Sequence, residues 1–430
     1  MARTGRNTLR DIGARLHGFQ TVAEYRRAGA VVLLAALFLR VVWALIIPTL
    51  PISDSAAYDI LARNLTEYST YGWTPDRPSA YWPVGTSAIY AVFYKIFGHS
   101  YTPIVAFNIV VGVGLVSLTM SLARRFFGEA TGLISGMVMA LWPSEIMFVT
   151  VLNSELPFTL SISAALLFWS SEKLSLTARG VSVGLCLAAA VYLRPVALLL
   201  PVVFAISSFI QGRHSVKTIA SAALALFVIV GAMAPWSARN TALFGEFVLM
   251  STNFGPTLWM GNNPDSNGQY MPLPDGVAGL NEQERAHILR RRALAYIRAE
   301  PGEFVLRTLK KAVIYHAGET IAVHWNKKGI EKTLGTAAML PAKILTQGYW
   351  TLILIFAFGG VIVLCKRNGV VTGLAHPLVL PWLYFAAVHS IILVQDRYHF
   401  PAHPFIAILA AVAAIRLVDG LGIKETSRHV

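Results

Sequence analysis

Two acidic residues, Asp54 and Glu155, lie next to long apolar stretches of the sequence, and a carboxylate in such a position can take part in catalysis. Asp54 lies in PTLPISDSAAYD, a few residues after the first long apolar run. A positioned, ionised carboxylate takes the proton of a hydroxyl as its oxygen attacks, so Asp54 is the first candidate for a catalytic base. Aspartate also caps helices, and Asp54 could equally cap the helix DSAAYDILARNL that follows it.

Glu155 is the second acidic candidate and lies in WPSEIMFVTVLNSELPF, at the junction of two apolar runs. A carboxylate at that depth is costly unless it pairs with a charge or binds a cation, although a water-exposed position in a hairpin is the alternative. Together with Asp54 it could hold a divalent cation such as Mg²⁺ or Mn²⁺ through oxygen ligands, although no cofactor is certain. Glu145 and Asp59 are expected to be solvated.

Three arginines fall at the ends of apolar runs: Arg194 in LRP, Arg239 in PWSARN and Arg397 in QDRYHFP. A guanidinium binds phosphate with two hydrogen bonds and can neutralise a leaving phosphate. A single arginine can also snorkel to the membrane interface, but three on one face favour phosphate binding. Tyr398, beside Arg397, joins these candidates for donor binding.

Further polar candidates lie in the segment STNFGPTLWMGNNPDSNGQY, which is predicted to be irregular. Here Trp259 could stack on a sugar, and Asn262 and Asn263 could hydrogen bond to it, although ordinary loops share this composition. Four histidines are predicted near the same face and expected to be mostly structural, because none makes a recognised metal-binding spacing: His316, His324, His399 and His403.

The elements that must position these residues are transmembrane helices. Of 430 residues, 55% are hydrophobic and 13% charged, and the mean hydropathy is +0.57, which excludes a water-soluble fold. Apolar windows of helical span length recur, so an all-α polytopic membrane protein is expected. The ten predicted spans are 29–50, 101–122, 130–149, 154–172, 179–194, 196–211, 216–236, 346–365, 376–395 and 401–418.

The basic residues predict the orientation of these spans. Lysines and arginines are concentrated in the short segments on the side of the N-terminus, which predicts cytoplasmic N- and C-termini. The net charge of +14 is therefore a topology signal and does not indicate nucleic-acid binding. With this orientation, residues 51–100 and 237–345 are predicted to lie on the non-cytoplasmic side. Both are too long to be turns, so they are the candidate functional regions.

Three regions organise the chain: an N-terminal transmembrane module, 1–236, an external segment, 237–345, and C-terminal transmembrane helices, 346–430. Residues 86–98 are predicted to form an interfacial helix. In the external segment, Asn281 and Glu284 match a capping box that opens a helix over 281–299, and Pro301 suits the first turn of another over 301–317.

The order of these pieces resembles the polytopic GT-C-type glycosyltransferases, which use lipid-linked sugars and include the protein O-mannosyltransferases and the lipid A aminoarabinose transferases. The resemblance covers most of the chain. It is carried by SDSAAYDILARNL, YWPVGTSAIYAVFYKIFG, WPSEIMFVTVLNSE, YLRPVALLLP, PWSARNTALFGEFV with WMGNNPDSNGQY, AYIRAEPGEFVLRTLKKAV and DRYHFPAHPFIAIL.

The resemblance implies that Asp54 is the essential aspartate of the first loop and that the donor is a polyprenyl-phosphate sugar. The expected reaction is an inverting transfer to a hydroxyl of a glycan, lipid or glycolipid, on the non-cytoplasmic face of a membrane, expected to be the bacterial inner membrane. A single acidic residue, Asp54, stands directly before Ser55, so the paired acidic motif of the protein mannosyltransferases is absent, which argues against a protein acceptor. A polyprenyl-linked glycan polymerase or ligase is the alternative, and a transporter is disfavoured because the halves show no repeat.

Overall fold

The computed structural model describes residues 22–212 and 216–420, and helices make up nearly all the regular structure in these residues, as predicted. Two short strands, β1 (Gly72–Thr74) and β2 (Arg77–Pro78), form an antiparallel ribbon. The helices are α1 (Val22–Ile46), α2 (Asp54–Tyr68), α3 (Gly85–Phe97), α4 (Thr102–Phe127), α5 (Glu129–Leu141), α6 (Pro143–Met147), α7 (Glu155–Trp169), α8 (Leu176–Leu193), α9 (Leu200–Ile210), α10 (Val216–Phe244), α11 (Phe254–Gly261), α12 (Glu282–Ala299), α13 (Pro301–Ala317), α14 (Ile321–Trp325), α15 (Lys327–Leu334), α16 (Met339–Asn368), α17 (Val370–Leu374), α18 (Leu380–Ile391) and α19 (His403–Gly420). Single 3₁₀ turns cover Phe148–Thr150, Pro195–Leu199, Asp275–Val277, Thr336–Ala338 and Phe400–Ala402.

Six helical segments among the described residues are long and apolar enough to cross a membrane, and a bent pair makes a possible seventh. Such segments satisfy their backbone hydrogen bonds internally, which hydrocarbon demands. The chain is therefore an integral membrane protein of the predicted class. The six segments are Ala23–Ile46, Thr102–Phe127, Leu176–Leu193, Val216–Phe244, Thr336–Asn368 and Phe400–Asp419.

The remaining predicted spans correspond to broken or short helices. The bent pair replaces the span predicted over 130–149, and its two parts meet at 56° where Pro143 follows Trp142. A proline lacks the N–H that would continue the first helix. Three apolar segments shorter than a full span occupy the others: Glu155–Trp169, Pro195–Ile210 and Leu380–Ile391.

The two segments predicted to be external, 51–100 and 237–345, are largely helical, and we keep the name external segments for them. Residues 51–100 contain α2, the β-ribbon and α3. In the second segment, the Asn281 side chain accepts hydrogen bonds from the first turn of α12, and the Glu284 carboxylate accepts one from the Asn281 backbone N–H, so the predicted capping box is confirmed. Pro301 begins α13, also as predicted. The prediction that 251–270 is irregular is wrong in part, because α11 forms within it.

A tight junction joins α11 to the end of α18. Gly261 approaches the Ile392 backbone so closely that a β-carbon would collide with its carbonyl oxygen. The buried ammonium of Lys311 lies 3.0 Å from the Ile391 carbonyl oxygen and 3.3 Å from that of Ile392. Asn262 donates to the same two carbonyls at 3.1 Å. These contacts satisfy acceptors that a helix end leaves free.

We expect Gly261→Ala to lower the free energy of unfolding by about 1–3 kcal/mol, because the added methyl group forces the junction apart. Thermal unfolding in detergent, followed by intrinsic fluorescence, measures the loss. Gly279→Ala is the matched control, since a β-carbon there meets no atom within 4 Å. Equal stability of the two variants would show that the junction adapts freely.

Candidate active site

Asp54 is the first residue of α2, and a strained backbone directs it. The preceding Ser53 has φ +51°, in the region that residues other than glycine rarely adopt. Ser53, rather than Asp54, occupies the N-cap position. The Asp54 carboxylate instead accepts a hydrogen bond of 2.6 Å from the Arg397 guanidinium. Strain of this kind persists where surrounding contacts hold it, and the Arg397 contact is one of them.

Glu155 begins α7, is fully buried and pairs with a second arginine. Arg194, at the end of α8, donates from Nη2 to Oε1 of Glu155 and from Nε to the Ser154 hydroxyl at 2.8 Å. Nη1 of Arg397 lies 3.7 Å from the same Glu155 oxygen. Asp54, Glu155, Arg194 and Arg397 thus form one group, which we call the charge cluster. The structure brings together residues from four separate parts of the sequence.

The charge cluster contains two guanidinium groups and two carboxylates, so its formal charges cancel. Burial lowers the pKa of Arg397, but Asp54, Tyr398 and Glu155 outweigh that effect and raise its pKa above the usual value. Arg397 therefore stays charged. Burial, followed by the charge of Asp54, raises the pKa of the Tyr58 hydroxyl, which stays neutral.

Aromatic rings hold the arginines in place. The Arg397 guanidinium carbon lies 4.5 Å from the Trp325 ring centre and 5.4 Å from that of Tyr398. That of Arg194 lies 5.9 Å from Tyr398, which stacks on His389 with ring centres 4.2 Å apart. Guanidinium groups interact favourably with ring faces. Tyr398 therefore contacts both arginines.

A cavity of about 620 Å³ opens beside the charge cluster. Its charged and aromatic lining residues are Asp54, Tyr58, Trp82, Arg194, Phe254, Tyr384, His389, Arg397 and Tyr398. A neighbouring groove of about 770 Å³ shares Leu198 and Leu249 with it and is almost entirely apolar. The two spaces together offer a charged end and an apolar end, as an anionic lipid does.

Arg239 is not among the residues that line this cavity. Its guanidinium donates to the carbonyl oxygens of Ser79 at 2.7 Å and Tyr71 at 3.1 Å, and lies 4.7 Å from the Trp236 ring centre. These contacts attach the first external segment to α10. The phosphate-binding hypothesis is therefore retained for Arg194 and Arg397 and dropped for Arg239.

The three sugar-binding candidates lie outside the cavity wall as well. Asn262 uses its amide in the junction with α18, and Asn263 donates to the Trp259 carbonyl oxygen at 2.7 Å. Both amides are buried and engaged with the backbone of their own surroundings. These backbone contacts are what the alternative, an ordinary structured loop, predicts for Asn262 and Asn263.

Two carboxylates expected to be solvated are buried. Asp59 accepts hydrogen bonds from the Tyr94 hydroxyl at 2.7 Å and contacts His99 at 3.0 Å. Glu145, on α6, lies 2.9 Å from Nδ1 of His403. Both predictions are wrong, because the bend at Pro143 and the packing of α2 on α3 turn these side chains inward.

Sequence reasoning missed Tyr58, Trp82 and His389 as wall residues. The helical spacing of Tyr58, four residues after Asp54, places both on one face of α2 and was a usable signal. No comparable pattern marked Trp82 or His389, because each reaches the cavity through the packing of separate segments.

In the charge cluster each carboxylate is paired with a guanidinium through one oxygen, and Oε2 of Glu155 is buried without a hydrogen-bond partner in the described part of the chain. A divalent cation that prefers oxygen ligands would meet these free oxygens and the two guanidinium charges together. The structure offers a second set of metal-binding side chains, Glu319, His399 and His403, and a divalent cation is compatible with that set.

Comparison with known proteins gives a family match over part of the chain. Residues 81–237 match the family described as dolichyl-phosphate-mannose-protein mannosyltransferase. Among curated proteins, none matches the sequence significantly. The partial family match agrees with the GT-C type that the sequence resemblance predicts.

Solved structures show the likeness of fold. The Archaeoglobus fulgidus oligosaccharyltransferase in the apo form is 13% identical over 94% of this chain and 51% of its own, with a TM-score of 0.57. The same organism's AglB, in complex with an inhibitory peptide and a dolichol-phosphate, is 14% identical over 94% and 52%, with a TM-score of 0.53. ArnT from Cupriavidus metallidurans bound to undecaprenyl phosphate is 15% identical over 91% and 60%, with a TM-score of 0.57. The chain thus spans about half the length of the oligosaccharyltransferases.

We expect Arg194→Met to lower the free energy of unfolding by about 3 kcal/mol, because it leaves the Glu155 carboxylate buried without its nearest partner. Glu155→Gln in the same chain should recover part of that loss. A double-mutant cycle, with denaturant unfolding in detergent, measures the coupling. Strictly additive losses would contradict the ion pair.

Proposed function

We propose that the protein is an inverting glycosyltransferase that moves a sugar from a polyprenyl-phosphate donor to an acceptor hydroxyl. One observation carries this proposal: the charge cluster meets an apolar groove at a single cavity. A polyprenyl phosphate has the matching chemistry, with an anionic head and a long apolar chain. The neighbours bound to dolichol-phosphate and to undecaprenyl phosphate support the assignment of donor class.

The donor phosphate would bind at the two arginines. Arg194 and Arg397 both line the cavity and both lie near Tyr398. A guanidinium has five N–H donors in a planar fork, so one group can hold a carboxylate and a phosphate together. The isoprenoid would then follow the apolar groove along α10, past Leu198 and Leu249. Trp82 in the cavity wall is the candidate platform for the sugar ring.

The chemical step is a single displacement. The acceptor oxygen attacks the anomeric carbon from the face opposite the phosphate, a carbon–oxygen bond forms, and the bond from carbon to the phosphate oxygen breaks with its electron pair on phosphate. Asp54 takes the hydroxyl proton. The new charge on the leaving phosphate is stabilised by Arg194 and Arg397. Glu155 positions both arginines through the contacts described above. No step uses a nucleotide.

The acceptor is proposed to be a hydroxyl of a glycan, lipid or glycolipid, and the sugar a hexose or pentose. The distribution of basic residues favours cytoplasmic termini, which places the cavity on the periplasmic or extracellular side of what we propose to be the bacterial inner membrane. The terminal basic residues of 1–21 and 421–430 lie outside the described residues.

We expect Asp54→Asn to reduce sugar transfer by about 10²- to 10⁴-fold, because the amide cannot accept the proton. Transfer from a polyprenyl-phosphate sugar by the purified protein measures the loss. Glu67→Gln is the matched control, since Glu67 lies on the same helix and is exposed. Full transfer by Asp54→Asn would remove Asp54 from the mechanism and favour a polymerase or ligase that depends on other groups.

We expect Ala234→Trp to raise KM for a long-chain donor at least tenfold and to leave a short-chain donor almost unaffected, because the indole fills the apolar groove. Ala234 lines that groove. Ile219→Trp is the control, because Ile219 is exposed on the same helix and does not line it. An equal effect on both donors would contradict the path proposed for the isoprenoid.

A further inference from the structure

Buried metal-binding side chains meet at a second place, away from the charge cluster. Glu319 lies between α13 and α14, His399 precedes the 3₁₀ turn Phe400–Ala402, and His403 begins α19. All three are buried, and one ligand atom from each lies within 4.8 Å of the others. The spacing of His399 and His403 suggested no metal site because prolines interrupt the segment. The 3₁₀ turn nevertheless brings their ring centres to 5.3 Å.

The hydrogen bonds leave the inner nitrogen of each imidazole free. Nδ1 of His399 lies 2.9 Å from the Tyr315 carbonyl oxygen, which can only accept, so Nδ1 carries the proton. Nδ1 of His403 lies 2.9 Å from the Glu145 carboxylate. Nε2 of each ring is buried and has no hydrogen-bond partner in the described part of the chain. A buried acceptor without a partner is costly, so such a pair calls for an explanation.

The surrounding residues hold the rings and the carboxylate in fixed orientations. Trp350 stacks on His399 with ring centres 4.1 Å apart, and Trp142 stacks on His403 at 4.2 Å. Trp142 also donates to Oε1 of Glu319 at 2.8 Å. Histidines that bind metals typically donate their outer N–H to a carbonyl or carboxylate. Nδ1 of His399 does so to the Tyr315 carbonyl oxygen, and Nδ1 of His403 lies beside the Glu145 carboxyl group.

We propose that Glu319, His399 and His403 bind a zinc ion. Two neutral imidazole nitrogens and one carboxylate oxygen form a ligand set that zinc uses, whereas Mg²⁺ prefers oxygen ligands alone. Zinc bonds of about 2.0–2.2 Å would draw the three ligand atoms closer together. The second oxygen of Glu319, which is buried without a hydrogen-bond partner in the described residues, would fill the fourth position of the zinc. The role is structural, because the site is fully buried and does not share a wall with the cavity.

Zinc would fasten the segment that carries Arg397. Asp396, next to Arg397, accepts from the Thr320 backbone at 3.1 Å, and Thr320 follows Glu319. A metal that joins Glu319 to His399 and His403 would therefore add a second link between the same two segments. This inference does not depend on the proposed glycosyl transfer, and its test measures no transfer.

The test uses full-length protein without a polyhistidine tag, depleted of metal and then dialysed with Zn²⁺. Elemental analysis should find about one zinc per chain, and Zn²⁺ should raise the unfolding temperature by several degrees while Mg²⁺ does not. His399→Gln and His403→Gln should abolish both effects. His324→Gln is the matched control, because His324 is exposed and lies outside the site.

A second measurement keeps the test decisive should the histidine variants fail to fold. X-ray absorption of zinc-loaded wild-type protein should show nitrogen and oxygen ligands at about 2.0–2.2 Å, with the outer-shell scattering of two imidazoles. The proposal is overturned if the wild-type protein retains no zinc, if both histidine variants retain it fully, if Mg²⁺ stabilises as much as Zn²⁺, or if the spectrum lacks imidazole.

Discussion

Two arginines, the buried Arg397 and the partly buried Arg194, are each paired with a carboxylate and hold one end of this helical bundle together. Removing a guanidinium from water costs several kcal/mol, and an opposing charge with good geometry must offset that cost. Arg397 finds Asp54, and Arg194 finds Glu155. Because these residues come from the start of α2, the start of α7, the end of α8 and the segment after α18, the ion pairs fix four elements relative to one another. The cavity lies where they meet.

The external segments support this arrangement from outside the cavity. Arg239 binds the carbonyls of Tyr71 and Ser79, and Glu282 accepts from the Ser79 hydroxyl at 2.7 Å, so both external segments are tied to each other and to α10. Lys311 and Asn262 satisfy the carbonyls at the end of α18, immediately before the segment that carries Arg397. Polar side chains in these segments therefore help to position the cavity by hydrogen bonding to backbone carbonyl groups near it.

The sequence is sufficient for the helical membrane class, the capping box at Asn281 and the helix starting at Pro301, because span length, caps and composition are local properties. The pairing of Asp54 with Arg397 joins residues 343 positions apart, and only the packing of helices decides it. The sequence does not distinguish Arg194 from Arg239 for the same reason, because both lie at the ends of predicted spans and only helix packing decides which of them lines the cavity. The burial of Glu145 and of the His399 and His403 imidazoles could not be predicted either, because it depends on the bend at Pro143 and on a 3₁₀ turn.

We propose that Arg194 and Arg397 receive the phosphate of a lipid whose chain occupies the adjoining groove. A cryo-electron microscopy map of the protein with bound polyprenyl phosphate would locate both parts of the lipid. We expect the phosphate within hydrogen-bond distance of both guanidinium groups, beside Asp54, with the isoprenoid along Leu198, Met233 and Leu249. Phosphate density at Arg239, or anywhere outside the cavity, would contradict it.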